Sequence, residues 1–507
     1  GSRGRGGHDP FVGIGCLGRR HKLADRLRGI TMDMYVGGRW QGSSEWLDVV
    51  APYSGDVIDR VPIATPDQVE EALATAERGA TIMRNLGGAA RADILRHAAD
   101  LLDADIERIA RTISLEVGKP IGEATGEASR LGEMFRLASF EGTQIRGETL
   151  PLDAQAGAEG KLGFTLRIPT GIVVAITPFN YPGLLVVHKI APALAAGNAV
   201  ILKPASQAPL TALIITEKLV EAGLPEAGLQ TITGGGAAVG MAMVRDPRVR
   251  KVSFTGSTAV GEEITRIAGV KRLSLELGAN CPMIVMPDAD LELAAEASAA
   301  GGYVNAGQVC ISLQRVIVHE DVYNDYLDAL RGPVEAFRMG DPLAADTKIG
   351  AMISEAEAVR VAQWVDEAVL SGARVVIGGE RDGAKLFPTV VADVTPNMKI
   401  SQEEVFGPTL SVTKAANIDD AIALANDSSY GLGAGIFTKD VTNAMRFARE
   451  VDAGAVHVNW TPLWRADLMP YGGLKGSGIG KEGIRYAVEE MTELKTVIIH
   501  GLEGGPT

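Results

Sequence analysis

Cysteine is scarce in this chain, with three residues in 507. That excludes a disulfide framework and makes a reducing, cytoplasmic setting the expectation. No apolar run approaches the roughly 20 residues that a membrane-spanning helix needs. Positive charge is in deficit: 49 Lys and Arg stand against 63 Asp and Glu, a net charge of −14. The balance argues against nucleic acid or an anionic membrane as the main partner, but leaves room for a local basic pocket around a small anion. Histidine is sparse too, at seven residues, so few imidazole bases exist to pair with a thiol in a cysteine hydrolase. Internal repeats and low-complexity segments are absent, and no metal site is assigned. What is present, 46% hydrophobic and 22% charged residues, is the composition of a soluble globular protein. The length requires more than one core.

The first thirty-one residues stand apart. They are glycine-rich and carry Arg3, Arg5, Arg19, Arg20, Lys22, Arg26 and Arg28. Gly1-Ser2 has the look of a tag remnant, and Met32 or Met34 is a candidate original start. A disordered or non-native extension is the expectation for 1–31, with a transit peptide as the other reading; Cys16 gets no role. Beyond it, Tyr35 to Arg60 reads as hairpins and Asp67 to Asp105 as helix, started by Thr65-Pro66-Asp67. A further helix is expected from Ala124 to Gln144, and a projecting hairpin from Gly147 to Leu166. From Gly171 short apolar runs alternate with helices: Ile172 to Ile176, Ala199 to Leu202, Leu229 to Thr233, Val252 to Thr255. The alternation resumes after Glu276, with Met283 to Val285, Val316 to Val318, Val375 to Ile377, Leu410 to Val412, Gly435 to Phe437 and Ala455 to Val458. This is the pattern of α/β units with parallel sheets, whose ligands bind beyond the carboxyl ends of the strands. The apolar tail Thr496 to His500 is expected to return and pair with the projecting hairpin.

The residues following the runs are the ones to read for chemistry. Gly256-Ser257 closes a strand and opens a helix, where a backbone can approach a phosphate, though a plain tight turn fits equally. Its glycines, Gly256 and Gly261, lie five apart, so the G-x-G-x-x-G fingerprint is not met. Glu276 ends an apolar strand. Burial raises a carboxyl pKa and suits a general base; a structural acid in an ion pair fits the same pattern. Cys310 lies in Asn305-Ala306-Gly307-Gln308-Val309-Cys310-Ile311-Ser312. A thiolate attacks carbonyl carbon readily, yet free cysteines more often pack as small hydrophobes.

Seven segments decide between these readings. Thr177-Pro178-Phe179-Asn180, Ile201-Leu202-Lys203-Pro204-Ala205, Phe254-Thr255-Gly256-Ser257, Leu275-Glu276-Leu277-Gly278, Gly307-Gln308-Val309-Cys310, Glu403-Glu404-Val405-Phe406-Gly407-Pro408 and Pro470-Tyr471-Gly472-Gly473-Leu474-Lys475-Gly476-Ser477-Gly478 resemble, in order, the motifs of the aldehyde dehydrogenase superfamily. The resemblance covers residues 34 to 500. It implies an aldehyde dehydrogenase-like α/β fold of two Rossmann-like parallel-sheet domains with a small β oligomerisation arm. The implied division is 32–145 and 167–276 for cofactor, 277–470 for catalysis, and 146–166 with 490–507 for the arm. It also implies a homo-oligomer, dimer or tetramer, and a small-molecule aldehyde as partner.

The resemblance further implies roles for individual residues. Cys310 is the expected nucleophile, Glu276 the base that activates water and Asn180 an oxyanion donor. NADP and NAD are the expected cofactors, held by Thr177, Pro178, Phe179, Lys203, Ser206, Gly236, Gly256, Ser257, Val260, Leu277, Glu404 and Phe406. Many NAD-preferring members carry a glutamate three residues after the lysine; here Ser206 stands there, so a 2′-phosphate meets no opposing carboxylate. For the substrate, Arg465 and His188 are the leading candidates, with Tyr181, Arg130, Arg136 and Gln314 behind them. An arginine fork suits a carboxylate, sulfonate or phosphonate. The loop around Arg465 resembles that of members using lactaldehyde, phosphonoacetaldehyde and sulfolactaldehyde, and succinate semialdehyde is a further candidate. A coenzyme-A-acylating enzyme is disfavoured because Glu276 is present. A non-catalytic protein on the same fold is disfavoured because the cysteine, glutamate and asparagine are all retained.

Overall fold

The computed structural model describes residues 32–501; the expectations for 1–31, Cys16 and 502–507 lie outside them. Two large sheets carry the fold. The first has the strand order Arg39–Gln41, Met34–Val36, Leu229–Thr231, Ala199–Lys203, Ile172–Ile176, Val249–Thr255, Arg272–Glu276, Gly478–Ile479. From Leu229–Thr231 to Arg272–Glu276 the strands run parallel. Ile172–Ile176 and Ala199–Lys203 are buried at every position, as a sheet covered on both faces demands. Alternate side chains point to opposite layers. Val173, Ala175, Val200 and Leu202 pack toward Gly88–Asp103, Ile121–Thr143, Leu184–Ala195 and Leu210–Glu221. Ile172, Val174, Ala199 and Ile201 pack toward Pro66–Asn85 and Thr258–Ile267.

The chain winds outward from Ile172–Ile176 to Leu229–Thr231, then crosses back to build Val249–Thr255 on the other side. The order reverses between Ile172–Ile176 and Val249–Thr255, and a crevice opens beyond their carboxyl ends,. Thr177 to Asn180 and Gly256-Ser257 lie at that crevice.

The second sheet has the order Arg374–Ile377, Thr389–Ala392, Thr409–Ala415, Arg315–His319, Pro282–Val285, Gly433–Phe437, Ala455–Val458. All its pairs are parallel except Arg374–Ile377, an antiparallel edge strand against Thr389–Ala392. This sheet offers the crevice its amino ends. Cys310 precedes Arg315–His319, and Glu404 and Phe406 precede Thr409–Ala415. Reading only the positions after each run therefore describes the first sheet and not the second.

In a third, small sheet Thr492–Ile499 runs antiparallel along the whole of Leu162–Pro169, which also pairs with Thr149–Leu150. The tail strand thus starts earlier than the expected Thr496. Leu162 and Leu166 are exposed on one face of the sheet, and Leu494 and Ile498 on the other. The expected helix from Asp67 to Asp105 is two helices, Pro66–Asn85 and Gly88–Asp103, parted at Gly87-Gly88, where helix is costly. The first is fixed by a capping box from Thr65 to Gln68 with Pro66 at its start,. Among the described residues no helix is long and apolar enough to cross a membrane.

Candidate active site

Cys310 is presented by a strained turn. Asn305, Ala306 and Gly307 have φ of +51°, +54° and +70°. Each non-glycine residue in that region costs about 1–2 kcal/mol, so neighbours must hold the turn. The Asn305 amide donates to Glu123 Oε2 at 2.9 Å, and Asn305 Nδ2 donates to the Asn180 carbonyl at 3.1 Å. Gln308 Nε2 closes the loop on the Asn305 carbonyl at 3.1 Å, while its Oε1 accepts from the Ile353 amide at 2.9 Å. Gly307 has no alternative residue, because a Cβ there would lie 2.2 Å from the Gly407 carbonyl oxygen. The same turn positions Asn180: its Nδ2 donates to the Gln308 carbonyl at 2.8 Å. An amide nitrogen has two hydrogens, so one remains for a ligand oxygen.

Two cavities meet at the thiol, and both are lined by Asn180 and Cys310. The larger, about 600 Å³, runs past Thr177, Pro178 and Phe179 on one side and Gly256, Ser257, Val260 and Leu277 on the other. Glu404 and Phe406 line it near the second sheet. Phe406 (φ +48°) meets Phe179 edge-on at 6.0 Å. Glu404 Oε1 accepts from the Ala279 amide at 3.0 Å, and burial lifts its carboxyl to about 7. Ser257 is the N-cap of helix Thr258–Ile267 and makes no side-chain cap bond, so the leading N–H groups of the helix stay open to an anion. Thr177 Oγ1 and Thr255 Oγ1 are buried in this wall without a partner. The donor-rich, partly unsatisfied cleft suits a dinucleotide. Lys203, Ser206 and Gly236 do not line it directly. Lys203 is buried at its strand end with Nζ on the Pro204 carbonyl at 3.0 Å, and burial lowers it to about 8. Ser206 Oγ donates to the Gly234 carbonyl at 2.9 Å. Gly236 opens the wide turn Gly236–Gly240.

The smaller cavity, about 120 Å³, is lined by Tyr181, His188, Arg130, Arg465 and Tyr471 beside the thiol. Its charges are wired together. The Arg465 guanidinium lies 3.8 Å over the Tyr471 ring, and Arg465 Nη2 stands 3.3 Å from His188 Nδ1 and 3.4 Å from Glu482 Oε2. Glu482 also pairs with Lys189 at 2.9 Å, and Arg130 pairs with Asp467 at 2.5 Å. Burial, with Arg465 adding to it, holds His188 well below the usual imidazole range. It is neutral, and its 3.7 Å approach to Asp467 is not an ion pair. Burial alone would raise Glu482, but the Lys189 and Arg465 charges outweigh it and hold the carboxyl below the usual range. Glu276 lacks such support: burial first and the Glu482 charge second push it well above the carboxylate range, and its Oε2 has no partner. Burial likewise pushes the Cys310 thiol up to about 12, against a pull from the Tyr471 hydroxyl 2.9 Å from Sγ.

Two expected substrate residues are not brought to the cavity. Arg136 pairs with Asp100 and Asp103, both at 2.7 Å, on the solvent side of its helix. Six positions beyond Arg130, at about 100° per residue, it is turned away from the cleft. Gln314 is buried behind Cys310, where Nε2 donates to the Ala279 carbonyl at 3.4 Å and Oε1 accepts from the Val405 amide at 2.9 Å; it fixes the Glu404–Phe406 loop. Sequence reasoning missed Tyr471, Glu123, Lys189, Asp467 and Glu482. Only Lys189 left a signal, a lysine inside the wholly buried helix Leu184–Ala195.

The description "Aldehyde dehydrogenase family" attaches to the family model that matches residues 40–497. The chain belongs to the aldehyde dehydrogenase family. As such it is an oxidoreductase acting on aldehydes. This aldehyde dehydrogenase is 43% identical over 467 residues to the 3-sulfolactaldehyde dehydrogenase of Priestia aryabhattai, covering 92% of this chain and 98% of that one. It is 38% identical over 473 residues to a lactaldehyde dehydrogenase of Methanococcus maripaludis, covering 92% and 100%. Among solved structures, the NADP-dependent glyceraldehyde-3-phosphate dehydrogenase of Bacillus halodurans, complexed with NADP, superposes with a TM-score of 0.91 at 36% identity, covering 93% and 99%.

Proposed function

We propose that this aldehyde dehydrogenase oxidises a short aldehyde carrying an anionic group (carboxylate, sulfonate or phosphonate) to the corresponding acid, with NADP or NAD as hydride acceptor. Cys310 attacks the aldehyde carbon to give a thiohemiacetal, whose oxyanion accepts a hydrogen bond from the free Asn180 Nδ2–H. When bound in the larger cavity, the nicotinamide supplies the hydride acceptor. Loss of hydride leaves a thioester on Cys310. Glu276 takes a proton from water, and the resulting hydroxide releases the acid.

One observation carries the anionic substrate. Two cations, Arg130 and Arg465, line the small cavity; Arg130 is paired closely with Asp467, whereas Arg465 meets Glu482 only at 3.4 Å. His188 is neutral, and Arg465 Nε is buried without a partner. A buried unpaired donor of this kind calls for an anion. The 3-sulfolactaldehyde relative bears a name of the same chemistry. The lactaldehyde relative keeps a neutral short-chain substrate as the second reading. An Arg465→Ala enzyme is expected to raise KM for an anionic aldehyde roughly 10- to 100-fold, the worth of a charge-assisted hydrogen bond. KM for propanal should change little. Equal effects on the two aldehydes refute the anionic reading.

For the cofactor, the support is Lys203. Its ammonium has only a carbonyl partner, and Ser206 brings no carboxylate. A 2′-phosphate is therefore accepted, and steady-state rates with NADP are expected to be comparable to those with NAD. Complete inactivity with NADP would refute this.

A further inference from the structure

We propose that the Tyr471 hydroxyl is the hydrogen-bond donor that stabilises the Cys310 thiolate, with the Arg465 guanidinium on its ring face strengthening that donor. The inference rests on the reading of Cys310 as nucleophile and adds a catalytic residue to it. The hydroxyl lies 2.9 Å from Sγ and is the one side-chain hydrogen-bond partner of that sulfur among the described residues. The ring is held rather than merely nearby. The Tyr471 amide donates to the Glu482 carbonyl at 3.0 Å, and the Glu482 amide donates back to the Tyr471 carbonyl at 2.6 Å. The Glu482 carboxylate in turn holds Arg465, whose guanidinium lies over the phenol. Tyr471, Arg465 and Glu482 thus form one unit with its hydroxyl end on the sulfur.

The sulfur needs such a donor. It is desolvated, and the carboxyls facing it, Glu276 and Glu404, both disfavour negative charge there. Arg465 is the cation that favours it, and it acts from behind the Tyr471 ring. The histidine of the cavity, His188, faces Arg465 and Asp467 instead. Cys281, on the opposite side, directs its thiol to the Cys310 carbonyl at 3.6 Å. A hydroxyl aimed at a developing thiolate lowers the free energy of the charged form, and a cation on the face of a phenol makes its O–H a stronger donor. Tyr471 does not itself take the thiol proton. Burial, with the Cys310 charge added, keeps the phenol protonated through the neutral range. The proton leaves for solvent, and the phenol O–H stays in place as donor.

Alkylation of the free enzyme by iodoacetamide isolates this step, because the thiolate carbon–sulfur bond forms with loss of iodide and needs neither aldehyde nor dinucleotide. The rate, followed against pH, reports thiolate formation. In Tyr471→Phe the alkylation rate is expected to be roughly tenfold slower at every pH below the thiol midpoint, as loss of one hydrogen bond to a charged group implies. Tm and dinucleotide affinity should stay near the parent values. Arg465→Gln, which keeps the phenol and removes the cation, is expected to slow alkylation by less. An unchanged rate in either variant overturns the assignment, whatever the identity of the aldehyde. Failure of the anionic-substrate reading, by contrast, leaves these alkylation profiles as expected.

Discussion

A Cys310→Ser enzyme is expected to lose aldehyde oxidation by roughly 10⁴-fold or more while still binding the dinucleotide, since removal of a nucleophile leaves only binding and electrostatic assistance. Hydride can leave only from a carbon that has become tetrahedral and carries an oxyanion, and the one nucleophile at the junction of the two cavities is the Cys310 sulfur. Serine fits the same turn. It relieves none of the strain at Asn305 and Ala306 and disturbs none of the bonds that Glu123, Asn180 and Gln308 make there. What it lacks is acidity. The site already pushes a thiol up to about 12, and an alcohol in that desolvated place forms its anion far more rarely. Reduced nicotinamide should therefore not accumulate. Dinucleotide binding should persist, because its cavity is walled by Thr177 to Phe179, Gly256, Ser257 and Leu277. Turnover within tenfold of the parent would show that Cys310 is not the nucleophile.

What was legible in the sequence follows from how local its cause is. Ile172–Ile176 and Ala199–Lys203 are unbroken apolar runs because both faces of the sheet are covered, so strand and crevice could be read directly. Glu276 was legible as a carboxylate closing a short strand, Arg272–Glu276, whose last three residues are buried. Cys310 was not distinguishable from a packed thiol by its neighbours alone; the ordered motifs set it apart. Arg130 and Arg136 were equally plausible in sequence, and only helix phase, fixed by packing, sends one to the cavity and the other to Asp100 and Asp103. The Lys189–Glu482 pair joins residues 293 positions apart, and the Tyr471 contact to Cys310 spans 161. No local pattern encodes such distances. Gln314 failed for the converse reason: a polar side chain near a nucleophile can serve the backbone, as it does toward Ala279 and Val405.

Replacing Glu276 by glutamine is expected to leave one turnover and remove the rest. The two buried carboxyls of this site are driven apart. Glu482 is held ionised by Lys189 and Arg465, and its charge then opposes a second one on Glu276. Such separation is how one site keeps a structural anion and a proton acceptor side by side. Glu276 Oε2 is unpartnered, and its Oε1 faces Gly472, where a Cβ would intrude to 2.9 Å. The carboxyl therefore has an oxygen free of any competing donor, although Glu276 itself lines neither cavity. Glutamine keeps the shape but cannot accept the proton of that water. The first hydride transfer should then proceed, giving a burst of reduced nicotinamide of about one equivalent per chain. Steady-state turnover should fall by roughly 10²- to 10⁴-fold, the usual worth of a general base. The parent should show a complementary pH limb. The raised pKa means that Glu276 is protonated below it and becomes a base above it, so thioester hydrolysis climbs as pH rises through that value; the glutamine enzyme should lack this climb. Rapid mixing followed by steady-state rates across pH measures both. A burst that shrinks in step with the steady-state rate would place Glu276 at or before hydride transfer instead, and the assignment as the base for hydrolysis would be lost.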